Sequence, residues 1–203
     1  MTEKKMSRSE LKRKAIVNAA KTAFLTDGVQ ATSMDKLAEL AQVSKRTVYN
    51  HFATKQDLVM FLLTDKWTET LVKVDAVYNP LASLEEQLTP LILQEIELMI
   101  DKDYIELARM ALGYYFYHPE ELKKHVDQIT AQETIIDRWL KSAIDSGKVI
   151  VDDIEFATEQ LHKLIKGNCF WPVLLQVESP PSTSQKQMIA SETAKMFLAR
   201  YAV

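Results

Sequence analysis

Residues 44–52, Ser-Lys-Arg-Thr-Val-Tyr-Asn-His-Phe, are the stretch whose side chains could do chemistry together. Ser44 can cap a short helix that places Val48 and Phe52, four apart, on its inner face. Lys45, Arg46, Thr47, Tyr49, Asn50 and His51 are then left largely outside. Surface helices usually mix charges of both signs, but this face has no carboxylate of its own. It offers two cations, an amide, two hydroxyls and an imidazole, a donor-rich set suited to phosphate oxygens and base edges. A solvated surface helix is the plain alternative, and the surrounding chain decides between them.

The chain has 203 residues, 47% hydrophobic and 26% charged, with only 4 Gly and 6 Pro. This composition predicts a compact helical protein, because sheet proteins need more turn residues. The start, Met-Thr-Glu-Lys-Lys-Met-Ser-Arg, is charged and leads into no apolar run, so no signal peptide is expected. No apolar run is long enough for a membrane span, and a cytoplasmic protein with no membrane partner is expected. The single Cys169, beside Phe170 and Trp171, reads as a small buried hydrophobe. The overall charge of −3 argues weakly against nucleic acid, but it is unevenly distributed. Residues 1–66 hold 12 Lys and Arg against 7 Asp and Glu, whereas 67–203 hold 13 against 21. The two parts are therefore expected to face different partners.

The elements that must position residues 44–52 are legible around them. Residues 1–9 read as a flexible basic arm. From Glu10, the positions Leu11, Ala15, Ile16, Ala19, Ala20, Ala23 and Phe24 follow helical spacing, and Gly28 is placed to end that helix. Thr32-Ser33-Met34-Asp35 starts a second, short helix, with Asp35 three residues after a hydroxyl cap and Leu37, Ala38 and Ala41 inward. It stops near Gln42, and Ser44 starts the next helix. Two short helices joined by a tight turn make a helix-turn-helix, here placed in a domain over 10–53. Thr54-Lys55-Gln56-Asp57 is another capping box, launching a connecting helix expected to span 54–79.

Residues 10–67 resemble the DNA-binding domain of TetR-type bacterial transcriptional regulators. The resemblance rests on Phe24-Leu25-Thr26-Asp27-Gly28, Ala31-Thr32-Ser33-Met34-Asp35-Lys36-Leu37-Ala38, and Ala41-Gln42-Val43-Ser44-Lys45-Arg46-Thr47-Val48-Tyr49-Asn50-His51-Phe52, followed by Lys55 and Leu58. It implies that Thr47, Tyr49 and Asn50, with Lys45 and Arg46, lie in or along the major groove of double-stranded DNA. His51, Thr32, Ser33 and Lys55 would hold phosphates. Independently, helix N-termini near Thr32, Ser44 and Thr54 would offer backbone N–H groups to phosphate. The family usually has Gly where this chain has Gln42; if φ is positive there, the side chain costs about 1 kcal/mol.

The remainder, 80–203, reads as helical and as the effector-binding and dimerisation domain. Stripes over Leu84–Met99 and Tyr104–Tyr115 are followed by a long helix expected from about Glu120 to Ser146, with Leu122, Val126, Ile129, Ile136, Trp139, Leu140 and Ala143 inward. A capped helix then runs from Asp153 to about Gln176, and a last one carries Met188, Ile189, Ala194, Phe197, Leu198 and Tyr201. The expected fold is all-α, with about nine helices and no strand. Residues 153–175 are apolar on more than one face, and Lys166–Leu175 resembles the C-terminal domain of an AefR-like subgroup. The implied architecture is a homodimer joined by a four-helix interface, reading an inverted repeat.

The middle of the chain is rich in Met and aromatic residues, a composition suited to an adaptable pocket for a small lipophilic or aromatic effector. The residues expected to line it are Trp67, Ile96, Met99, Tyr115, Trp139 and Trp171. Repression with effector-controlled release is what the family resemblance implies. The rival classes are a helical scaffold with no specific DNA target and, less favoured, an enzyme. No Gly-rich phosphate loop, metal-spaced His/Cys cluster or cofactor motif is present. Glu95, Glu97 and His118 could form an acid/base set only if folding gathered them.

Overall fold

The structure is a computed structural model of the chain; it describes residues 6–75, 77–130 and 132–203, with the side chains of 128–130 excepted. Among these residues every regular element is helical, apart from one isolated antiparallel bridge between Val149 and Ala202. The all-α expectation holds. The inward position expected for Ile129 lies outside the described side chains.

Helix α1, Arg8–Asp27, begins two residues earlier than its apolar pattern suggests, because Ser7 and Glu10 form a capping box. Gly28, with φ 79°, ends it. Helices α2 (Met34–Leu40) and α3 (Lys45–His51) pack on α1 through Ile16, Ala20, Phe24, Leu37, Ala38 and Val48, all buried. The turn between α2 and α3 is a Schellman motif. The Val43 N–H donates to Ala38 O at 3.0 Å and the Gln42 N–H to Glu39 O at 3.0 Å. Gln42 sits at φ 53°, so the left-handed geometry is present without glycine. Gln42→Gly should therefore raise stability by up to about 1 kcal/mol, part of the relief being offset by a freer unfolded chain. Gln42→Val, β-branched in the same conformation, should lower it by about 1–2 kcal/mol. Urea denaturation of the two variants checks the opposite signs.

Helix α4 (Lys55–Trp67) continues as a π-helical turn over Thr68–Val72 and stops there, short of the expected Asn79. Val72, Val74 and Val77 are poor helix formers. The widened turn is held from outside: Gln94 Nε2 donates to Thr70 O at 2.7 Å, and the Arg138 guanidinium takes the Val74 carbonyl. Helices α5 (Leu84–Met99) and α6 (Lys102–Tyr115) follow.

The single helix expected from Glu120 to Ser146 is two, α7 (Pro119–Thr130) and α8 (Ile135–Asp145). Thr134 begins the second through a capping box with Asp137, a Thr-x-x-Asp signal hidden inside an apparently continuous apolar stripe. Val126, expected inward, is exposed on α7, whose packing partners are few. Gly147, at φ 72°, follows the end of α8. Helix α9 (Ile154–Ile165) passes through a second π turn, Lys166–Phe170, into the short α10 (Trp171–Leu174). Pro172 lies just past that turn, in the first turn of α10. Helix α11 (Thr183–Tyr201) lies along α5, and α6 packs on α4, linking the N-terminal helices to the rest.

Candidate nucleic-acid interface and regulatory core

Helix α3 is held by its inner side and by both ends. Val48 is fully buried and Phe52 nearly so. Ser44 Oγ accepts from the Thr47 N–H at 3.1 Å and also bonds the Thr47 hydroxyl at 2.8 Å. At the far end Phe52 meets Phe61 of α4 with ring centroids 5.6 Å apart. The Arg13 guanidinium of α1 lies over both rings, at 5.0 and 4.0 Å. This stack ties three helices together beneath the donor face. Arg13 was not singled out from the sequence, since one cation on a basic helix carries no local signal of what it will cover.

On the outer side, Lys45, Arg46, Tyr49 and Asn50 are exposed, and Thr47 and His51 are half-buried. The face is less uniformly basic than its own sequence indicates, because Asp35 of α2 reaches across to Lys45 Nζ at 2.5 Å. That hydrogen bond and charge raise the Lys45 pKa. Arg46 has no ion-pair partner among the described residues. Ser33 is exposed and caps α2, its Oγ accepting from the Lys36 N–H at 3.1 Å.

Two residues expected at phosphates are placed otherwise. Thr32 is fully buried and its hydroxyl donates inward, to Gly28 O at 2.9 Å, so Ser33 takes the cap expected of it. Lys55 directs its ammonium to Val29 O at 2.7 Å and Thr32 O at 3.1 Å. It closes the loop between α1 and α2, whose carbonyls have no helical partner. Both residues thus brace the interface from behind.

The effector residues expected from the aromatic composition separate into two groups. Trp67, Ile96, Met99, Tyr115 and Trp139 are buried, while Trp171 is 42% exposed and lies outside the core. Val173 and Leu174 take the inner side of the four-residue α10, which turns Trp171 outward. Within the buried group, Trp67 Nε1, Tyr115 Oη and Trp139 Nε1 have no hydrogen-bond partner among the described residues. A buried donor left unpaired costs about 1–3 kcal/mol, so three in one domain core are unusual. Burial pushes the Tyr115 hydroxyl up to about 12, which keeps it a donor.

Sequence reasoning missed the main polar feature of this core. Glu95 is fully buried on α5, and both its carboxylate oxygens face His162 Nδ1 of α9, at 2.7 and 2.9 Å. Its signal was positional: Glu95 falls on the same helical stripe as Leu88, Ile92 and Met99. Burial alone would lower the His162 pKa, but the Glu95 charge and hydrogen bond outweigh it and the value is raised. The indole of Trp67 lies 6.3 Å from the imidazole, and Lys166 Nζ sits 5.8 Å above the indole. The acid/base set considered from sequence does not assemble: Glu95 engages His162, Glu97 pairs with Lys186, and His118 stacks on Tyr114. Cys169 is buried as expected, and burial pushes its thiol up to about 11. No metal-ligand grouping and no helix long and apolar enough to cross a membrane occur among the described residues.

Residues 16–60 match the family described as bacterial regulatory proteins, tetR family, and 86–203 match the AefR-like transcriptional repressor, C-terminal domain. The chain is similar to the HTH-type transcriptional regulator RutR of Escherichia coli K12, 29% identical over 152 residues, covering 70% of this chain and 68% of that protein. A TetR family transcriptional regulator from Pseudomonas syringae pv. tomato superposes over 96% of this chain and 98% of its own, with TM-score 0.70 and 32% identity. The flavonoid-responsive regulator FrrA shares the fold at TM-score 0.68 and 22% identity, over 94% of this chain and 97% of its own. With the helix-turn-helix at its N-terminal end and the matched C-terminal helical domain, the chain belongs to the TetR family of DNA-binding transcriptional regulators.

Proposed function

We propose that the protein is a ligand-responsive repressor that acts as a homodimer on an inverted-repeat operator. The observation that carries this reading is the exposed outer face of α3, with Arg46, Tyr49 and Asn50 free of carboxylates and fixed from beneath by Val48, Phe52 and Arg13. A short helix anchored on three sides can enter the major groove without rearranging. Ser33 and the N-terminus of α3 supply phosphate contacts that set its register.

The dimer reading is supported by the C-terminal helices. Phe156, Trp171, Leu175, Met188 and Met196 are exposed apolar residues on α9 to α11, more than a solvent-facing helix pair needs. The two-faced apolarity of 153–175 is thus satisfied inwardly by Leu161, Ile165 and Cys169, and outwardly by a second copy. The effector reading is supported by the Trp67, Tyr115 and Trp139 donors, which lack a partner among the described residues and which a ligand with acceptor atoms would satisfy. An aromatic or lipophilic molecule suits the aromatic character of this core, in keeping with the flavonoid response named for one structural neighbour.

A gel shift with DNA from upstream of the protein's own gene tests the reading. The expected result is sequence-specific retardation that survives competitor DNA and weakens steeply with salt as phosphate counterions are displaced. Retardation confined to low salt and indifferent to sequence would instead favour a scaffold.

A further inference from the structure

A cavity lies away from the buried donors, where α1, α4 and α6 meet. It is a cleft of about 290 Å³ that opens between the DNA-reading helices and the C-terminal domain. Phe24 and Leu25 of α1, Leu62 of α4 and Leu107 of α6 form its apolar walls. The charged groups at its rim are unbalanced. Lys21 is tied to Asp65 at 2.9 Å, and Lys66 to Asp101. Asp103 and Glu106, one turn apart on α6 and half-buried, also line the cleft and have no cation partner among the described residues. An apolar slot with two unneutralised carboxylates along one wall is complementary to a hydrophobic cation.

We infer that this cleft is a binding site for a small lipophilic organic cation, of the size of one aromatic ring bearing a substituted ammonium group. The ring would lie between Phe24, Leu62 and Leu107, with the ammonium towards Asp103 and Glu106. An occupant would touch both sides of the joint at once. Val29, in the loop after α1, lines the cleft, and its carbonyl accepts from Lys55 at the start of α4. Filling the cleft therefore acts on the loop that seats the helix-turn-helix, and cation and DNA must alter each other's affinity by the same factor. This coupling rests on the DNA-binding reading; occupancy of the cleft does not.

Calorimetry on the full chain with benzyltriethylammonium, benzyl alcohol and benzenesulfonate tests the site. The cation should bind once per protomer, the neutral alcohol about tenfold more weakly or worse, and the anion not at all. Asp103→Asn with Glu106→Gln should cost the cation about tenfold in affinity without shifting the melting temperature of the free protein. Leu107→Trp, which fills the slot, should remove binding. Absence of cation binding overturns the inference, as does equal binding of the anion or an affinity unmoved by the paired acid substitutions. For the coupling, operator affinity is measured with and without the cation. Unchanged affinity overturns the coupling, whereas a protein that retards no specific DNA even without cation counts against the proposed function and leaves the calorimetric test standing.

Discussion

Replacing Tyr49 and Asn50 together with alanine should weaken specific operator binding by about 100-fold or more, because each base contact supplies about 1–3 kcal/mol of discrimination. These two residues are singled out by what α3 does with its neighbours. Thr47 has its hydroxyl engaged by Ser44, Lys45 is held by Asp35, and His51 is half-buried. Tyr49, 51% exposed, and Asn50 remain free to reach a groove floor. Since neither side chain is part of the core, the melting temperature should stay within about 1 °C of the parent, as expected for surface changes. Arg46→Ala should behave differently. Without its cation, a phosphate goes unneutralised, which weakens specific and non-specific DNA alike and reduces the salt slope by about one. Fluorescence anisotropy against operator and scrambled duplexes, across a salt series, separates the two outcomes. A double variant that still distinguishes operator from scrambled DNA would show that α3 is not the reader.

Glu95→Ala should destabilise the protein by about 3–5 kcal/mol, the largest stability loss expected of any single polar substitution here. The carboxylate is fully buried against His162, so its removal strands a largely buried imidazole without its hydrogen-bond partner. Glu95→Gln, which retains shape and an acceptor, should cost less. The pair also makes a pH prediction. The folded pKa of His162 is raised above its ordinary value of 6.5, so the pair's contribution is fully present below that value and is lost as pH rises through the folded one. Denaturant melts of wild type and Glu95→Gln on both sides of that window should show their difference shrinking as pH increases. A difference that grows with pH would sink this assignment.

The helix-turn-helix was legible because its signals are local. Ser44, Thr54 and the Ala-rich crossing of α2 act within a few residues of themselves, and caps and apolar spacing suffice to mark the helices. Even the positive φ at Gln42 agrees with the glycine usual at that turn in the family, the side chain simply adding strain. Boundaries failed where a local signal competed with a longer stripe. Thr134 divides what looked like one helix over 120–146, and the valines after Leu71 end α4 early. In both places the apolar repeat continued while the backbone did not.

What the sequence by itself determined was the all-helical class, the exposed donor face of α3 and the contrast between a basic N-terminal part and an acidic remainder. Those features depend on residue type and spacing along one helix. Only the tertiary structure decided which donors are free: it turned Thr32 and Lys55 inward to close a loop, and brought Asp35 onto Lys45. It also joined Glu95 to His162 across 67 residues and left Asp103 and Glu106 without a cation partner among the described residues, at a joint between domains. Hydrogen bonds and charges act through space, so two partners on different helices leave no periodic trace of each other in the chain.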